Sequence, residues 1–491
     1  MTYILALDQG TTGSTAIVVD AAGRVVGRGY RELPQHFPQP GWVEHDPRDL
    51  LRTICEAARE AIAAAGVTPA AVGITNQRET VVVWDRETGV PLGNAIVWQD
   101  RRTAPRCAAL APRADEIRRR TGLVVDPYFS ATKLEWIIAE RARGRTERLL
   151  AGTVDSWLIW SLTGGAVHAT DPTNASRTML YDINEQAWSP ALCALFGVPA
   201  SMLPELRPSS GSFGVVGVEH FGVALPILGV AGDQQAALYG QGCVRAGRAK
   251  NTYGTGAFLL LHTGDERPEP GAGMLATVAC GPRGEAAYAV EASIFIAGAA
   301  IQWLRDGLGI IGTAAETQAL AESVTSNDGV YFVPALTGLG APHWNAEARG
   351  TIVGLTRGST RAHLARAALE AMAYGTAEVL AAMRQGTHVA LDVLRVDGGA
   401  THNDWLMGFQ ADVLGVPVER PESVEITALG AAALAGVAAG VWTDAEAFVA
   451  PRSYERFLPT ASPSAREGMR GWDRAVRAAL AWAATAGPGP R

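Results

Sequence analysis

One device, used twice, constrains this chain more than any other feature. Tyr3–Leu7 is a short apolar run that stops at Asp8. A polar turn follows, Gln9-Gly10-Thr11-Thr12-Gly13-Ser14, and a second apolar run, Thr15–Val19, leads away from it. Far down the chain, Lys250-Asn251-Thr252-Tyr253-Gly254-Thr255-Gly256 leads into the apolar run Phe258–Leu261. Both read as strand, glycine- and threonine-rich turn, strand. Such a tip is either an ordinary polar hairpin turn or one whose amides face an anion. A third turn, Asp397-Gly398-Gly399-Ala400, follows the strand Val393–Val396 and precedes a helix-like run, Asp404–Leu414, whose N-terminal amides suit a phosphate or a nucleoside. The chain therefore reads as two related halves.

The segments between fit that reading. Asp46 is a fitting N-cap, Pro47 stands at the first helical position and Gly66 closes the helix, with Leu50, Leu51, Ile54, Ala58 and Ile62 as its apolar stripe. After it, Ala70–Thr75 reads as a strand ending in Asn76-Gln77-Arg78-Glu79, and Thr80–Trp84 and Asn94–Trp98 continue the β pattern. Pro226–Ala231 is a further strand, ending in Gly232-Asp233-Gln234-Gln235, with a short helix over Ala236–Gly242. Alternating strands and helices predict an α/β protein. The boundary falls between Cys243 and Arg248, giving an N-terminal domain over 1–246 and a C-terminal domain over 247–491, and the Gly/Pro tail Ala486–Arg491 is expected to fray.

Composition excludes several function classes. The net charge is −7, so no global basic field points to nucleic acid. Only two lysines occur, Lys133 and Lys250, and neither precedes Ser or Thr, so a Walker A phosphate loop is absent. The five cysteines form no Cys-x-x-Cys pair, which argues against a disulfide framework or zinc cluster and for a reducing cytoplasm. The N-terminus lacks a secretion signal. The segment Ile426–Trp442 approaches the length of a membrane span, but alanine and glycine dominate it, so buried helix is expected instead.

The order and spacing of the three turns resembles the actin-like (ribonuclease H-like) ATPase fold shared by sugar kinases. Tyr128-Phe129-Ser130-Ala131-Thr132-Lys133-Leu134-Glu135-Trp136 resembles the first pattern of the FGGY carbohydrate kinases, and Gly329–Leu355 with the helix running to Gly375 resembles the second. Six runs are similar to those of the glycerol-phosphorylating members of that family: Ala6–Thr12, Ile74–Thr80, Ile96–Thr103, Asp126–Lys133, Ala231–Leu238 and Asn251–Phe258. The similarity extends over residues 3–450. It implies two actin-like domains with an interdomain catalytic cleft and ATP- and Mg²⁺-dependent conversion of glycerol to glycerol 3-phosphate in glycerol catabolism. It also implies a cytoplasmic homo-oligomer of two or four chains, with glycerol and ATP as its small-molecule partners.

The resemblance assigns roles residue by residue. Asp233 stands where the general base is expected, at the C-terminal end of a strand, where ligands of α/β sheets collect. Arg78 donates and Glu79 accepts, so together with Gln234 they suit vicinal hydroxyls, while Trp98, Tyr128 and Phe258 supply an apolar wall. Thr11, Thr12 and Gly13 in the first turn and Thr255 in the second match phosphate contacts, and Gly298, Gln302, Gly399 and Asn403 match nucleotide contacts. Asp8 matches a carboxylate that orients Mg²⁺ through water. Thr15 stands where the family often carries arginine, which predicts a weaker grip on nucleotide phosphate. The stretch Glu219–Leu225 contains no Lys or Arg, hence no evident site for a bisphosphate inhibitor, and His220 reads as an exposed histidine.

Overall fold

The computed structural model describes residues 2–269, 271, 273–387, 389–423, 425–460 and 462–485, so the expected fraying of 486–491 lies outside the described residues. Two large sheets organise the chain. The first runs Val215–Val216, Leu225–Gly232, Ala71–Asn76, Ile4–Gln9, Gly13–Val19, Val25–Glu32. The second runs Leu275–Cys280, Ala286–Ile294, Ala257–Gly264, Arg248–Tyr253, Val393–Asp397, Val418–Pro421, Tyr454–Phe457.

Both sheets share one plan. Each has an antiparallel hairpin around its glycine turn. Each hairpin's first strand pairs in parallel with a later strand, which pairs in parallel with a third. An antiparallel edge strand closes the row. The repeated turn is thus the visible trace of a repeated sheet, and the α/β class predicted from alternation is the class observed.

Local chemistry accounts for the elements near the cleft. The Asp46 side chain accepts from Arg48 N at 2.8 Å, and Gly66 takes φ 63° at the end of the helix Pro47–Ala65. Parallel register places Asp8 opposite Thr75, Gln9 opposite Asn76, and Gly232 opposite Asn76. Asp8, the segment Gln77–Glu79 and Asp233 therefore gather at the C-terminal ends of three neighbouring strands. The helix predicted over Ala236–Gly242 is Asp233–Gly240, so Asp233 is its first residue rather than part of a preceding loop.

The segment Ile426–Trp442 forms one helix, Ile426–Ala438, and among the described residues no helix is long and apolar enough to cross a membrane. It packs on the first sheet rather than the second: Ala428, Leu429, Ala431, Ala432 and Ala435 share a core with Ile4, Ala6, Ile17, Val19, Ala71 and Ala231. Its small residues permit that approach. A Cβ on Gly430 would lie 1.8 Å from the carbonyl oxygen of Ala236, so the helices Ile426–Ala438 and Asp233–Gly240 touch backbone to backbone.

Candidate active site

At the shared end of these strands, charged side chains meet, most of them buried. Arg78 is buried and reaches a carboxylate of the second half, Glu291, with both terminal nitrogens, at 2.6 and 3.0 Å. Its Nε lies 3.3 Å from Asp233 Oδ1. Glu79 accepts from Arg177 Nε at 2.6 Å, and Arg177 Nη2 also reaches Glu291 Oε1 at 3.0 Å. Glu79 holds φ 63°, a left-handed backbone uncommon for a non-glycine residue, and its carbonyl accepts from Ser130 Oγ at 3.0 Å. The side chains of Arg78, Glu79, Arg177 and Glu291 are at most 3% exposed, whereas that of Asp233 is 31% exposed. Asp233 is the most exposed carboxylate of this cluster.

The electrostatics follow from that burial. Burial pushes the Asp233 carboxyl above the usual carboxylate range, opposed by Arg78, the Gln234 amide donated to its Oδ1 at 2.7 Å, and Lys250. Burial also pushes Glu79 up, with Arg78 and Arg177 pulling the other way. For Glu291 the two arginines overcome burial and hold the carboxyl at about 2.

The remaining residues singled out from the sequence fall around this cluster. The Trp98 and Tyr128 rings meet edge to face at 5.5 Å, and Trp98 Nε1 donates to Thr11 Oγ1 at 2.9 Å, tying the aromatic wall to the first glycine turn. Gln234 Oε1 accepts from Lys250 Nζ at 2.6 Å, which fixes the amide with its nitrogen turned away from the lysine. Phe258 pairs with Ser293 and Leu260 with Glu291, so Phe258 and Glu291 share one face of the second sheet. Gly10 N donates to Gly13 O at 3.0 Å, and Thr12 is exposed at the tip. Gly13 is buried beneath the Tyr30 ring, so its role in the turn is close packing as well as backbone access.

In the second half, a cavity of about 530 Å³ is lined by Thr255, Gly298, Gln302, Gly399 and Asn403, together with Gln318 and others. Gly298 N donates to Gly254 O at 3.0 Å, seating a short helix against the second turn. Gly398 takes φ 93°, and a Cβ there would lie 2.2 Å from the carbonyl oxygen of Tyr253. Asn403 caps the helix Asp404–Leu414 by accepting from Leu406 N at 2.9 Å.

The expected place for a metal is beside Asp8. Among the described residues no group of three ligand-type side chains could hold an ion by itself. Asp8 is a single carboxylate pushed up to about 8, by burial first and then by the charges of Asp233 and Glu425. One carboxylate short of positive charge suits a hydrated Mg²⁺ whose other ligands are waters and phosphate oxygens.

Several functional candidates escaped the sequence reading. Arg177 and Glu291 carry half of the ion-pair cluster, and Lys250 orients Gln234. Their traces were thin: a single acid within the apolar strand Ala286–Ile294, an arginine ending the polar run Thr173–Arg177, and a chain with only two lysines. One surface expectation is corrected. His220 is 16% exposed, its Nδ1 3.8 Å from Cys55 Sγ, because the short helix Val218–Phe221 packs against Pro47–Ala65. The stretch Glu219–Leu225 contains no Lys or Arg, as the sequence shows; from outside it, Arg59 donates to the His220 carbonyl at 2.7 Å and lines a groove with Arg48 and Arg52.

Two halves built on one sheet plan, an acid at a strand end of the first and a glycine-bearing cavity in the second, fit a two-domain phosphotransferase. The chain matches the models of the FGGY family of carbohydrate kinases, the N-terminal domain over residues 3–240 and the C-terminal domain over 249–439. It is 54% identical to glycerol kinase of Carboxydothermus hydrogenoformans, with 98% of each chain covered. It is 52% identical to glycerol kinase 2 of Thermotoga maritima, covering 98% of this chain and 99% of that protein. The solved structure of Plasmodium falciparum glycerol kinase with ADP superposes with a TM-score of 0.93 at 35% identity, with 98% of both chains covered. The xylulose kinase of Rhodospirillum rubrum gives 0.87 at 27% identity, again with 98% of both covered. The chain belongs to the FGGY family of carbohydrate kinases.

Proposed function

We propose that the protein transfers the γ-phosphoryl group of ATP to a primary hydroxyl of glycerol, giving sn-glycerol 3-phosphate. The observation that carries this reading is the partly exposed Asp233 carboxylate beside the buried Arg78–Glu79 pair, in a chain alike over its full length to glycerol kinases.

A primary alcohol attacks poorly until its proton has a destination, and Asp233 is the carboxylate able to take it. Arg78 and Glu79 present one donor and one acceptor for the neighbouring hydroxyls, Gln234 adds the amide nitrogen left free by Lys250, and Trp98, Tyr128 and Phe258 cover the carbon face. A pocket that pairs every hydroxyl rejects an analogue lacking one, since its own polar groups then go unpaired. Thr11, Thr12, Gly13 and Thr255 form the phosphate turns, and Gly298, Gln302, Gly399 and Asn403 hold the nucleoside. Asp8 would hold Mg²⁺ through water, and the bound ion would supply screening of charge on the phosphates.

The catalytic unit consists of the halves 1–246 and 247–491, working as a cytoplasmic homo-oligomer. Five buried, unpaired cysteines support a reducing compartment. Release of ADP, followed by a coupled assay across glycerol, dihydroxyacetone, xylulose and erythritol, tests the substrate. Glycerol should give the highest kcat/KM, and faster turnover of xylulose refutes the reading.

A further inference from the structure

Arg78 stands between two carboxylates and has charge for one. Glu291 takes both terminal nitrogens, at 2.6 and 3.0 Å, and leaves Asp233 a single contact to Nε at 3.3 Å. The bidentate pair is the stronger arrangement and fixes the guanidinium plane. Glu291 is itself anchored from the far side, where Arg177 Nη2 reaches Oε1 at 3.0 Å while Arg177 Nε holds Glu79 at 2.6 Å. The result is a buried set, Asp233, Arg78, Glu291, Arg177, Glu79, in which carboxylates and arginines alternate, Glu79 comes back to within 3.8 Å of Arg78 Nε, and Asp233 is the most exposed member.

The row crosses between the halves. Arg78, Glu79, Arg177 and Asp233 come from the first, and Glu291 comes from the strand Ala286–Ile294 of the second. The geometry points to Glu291 as a positioning residue that keeps Arg78 from capturing the catalytic carboxylate and holds Arg78 and Glu79 in register for the polyol. Without its charge, the nearest carboxylates to Arg78 are Asp233 at 3.3 Å and Glu79 at 3.8 Å. Arg78 then closes on Asp233 and occupies the oxygens that should receive the substrate proton. Removing one member of a buried charge row leaves its partners to find new counter-charges, so the lesion spreads along the row. Burial alone pushes the Glu291 carboxyl up, yet Arg177 and Arg78 hold it at about 2, so it remains charged at any pH at which the enzyme works.

This rests on Asp233 acting as the base, and the test separates the two claims. In the full-length protein, Glu291→Gln should lower kcat by more than about tenfold, a part of the 10²–10⁴-fold that a positioned base contributes, and should raise the glycerol KM. The ATP KM should change little, because the nucleotide cavity contains none of the row. Glu291→Asp, which keeps the charge on a shorter side chain, should recover part of kcat. The decisive measurement is the double-mutant cycle: with Asp233→Asn in place, adding Glu291→Gln should cost almost nothing further in kcat. Full additivity of the two losses overturns the proposal, as does a Glu291→Gln enzyme with wild-type kcat or a Glu291→Asp enzyme as impaired as Glu291→Gln. If Asp233→Asn alone keeps wild-type turnover, the assignment of the base has failed instead.

Discussion

Asp233→Asn is the sharpest perturbation available, because the structure specifies what the substitution spares. Asp233 Oδ1 accepts the Gln234 amide at 2.7 Å and faces Arg78 Nε at 3.3 Å, and an asparagine oxygen can keep both contacts. Arg78 retains its bidentate partner Glu291, so no buried cation is left without a counter-charge. The charge removed is one that burial already disfavours. Folding stability should therefore be unchanged or slightly higher, and glycerol should still bind. What is lost is the second oxygen as a proton acceptor, a loss of about 10²–10⁴ in kcat, or about 3–5 kcal/mol of transition-state stabilisation. Three measurements on one preparation decide the matter: kcat by the coupled assay, glycerol Kd by calorimetry, and Tm. A kcat within threefold of wild type refutes Asp233 as base. A collapse of Tm together with kcat refutes the claim that the site's geometry survives.

Other expectations follow from the same structure. Since burial raises the Asp233 carboxyl, the acid limb of kcat/KM should lie above the ordinary carboxylate range of about 4; a limb at or below it contradicts the assignment. Asp8 sits at about 8 in the folded protein, so the native state binds its proton more tightly than the unfolded chain, and metal-free stability should fall as pH rises from about 4 to about 8. Asp8→Asn should flatten that fall while abolishing Mg²⁺-dependent turnover; Tm against pH in chelator checks it, and parallel curves for the two proteins refute it. Gly430→Ala should cost about 3 kcal/mol or more by urea unfolding, the upper end of overpacking, because its Cβ meets backbone rather than a movable side chain. Thr15 lies opposite Asp8 and on the same face, so Thr15→Arg should tighten ADP binding by about 1–2 kcal/mol in a calorimetric titration; equal Kd values would mean that residue 15 does not reach the phosphates.

What the sequence made legible was whatever is local. The hairpin turns at Gly10–Ser14 and Gly254–Gly256, the caps Asp46 and Gly66, and the strand end carrying Asp233 are each written in a few consecutive residues, and element boundaries moved by only a few positions. The resemblance to a family then supplied roles for Arg78, Glu79 and the nucleotide residues. Long-range pairings left almost no trace. Glu291 is one acid in a nine-residue strand, and nothing in its neighbours says that it will meet Arg78 and Arg177 across the cleft. His220 read as exposed because its burial against the helix Pro47–Ala65 depends on packing from far upstream. The left-handed backbone of Glu79 was likewise invisible, since no glycine or turn residue marks it and the groups that hydrogen-bond to Glu79, Arg177 and Ser130, lie far along the chain.

The helix Ile426–Ala438 covers a sheet whose six strands are all complete by residue 232. During synthesis the ribosome therefore finishes that sheet long before the chain that covers one of its faces exists. Roughly 190 residues separate the end of the first half from the end of that helix, and at about 5–20 residues per second the delay is about 10–40 s. Throughout it, Ile4, Ala6, Ile17, Val19, Ala71 and Ala231 lack their cover. The first half thus presents that apolar face on every round of translation, and a chain truncated before residue 426 should be recovered in the insoluble fraction instead of as a half-enzyme.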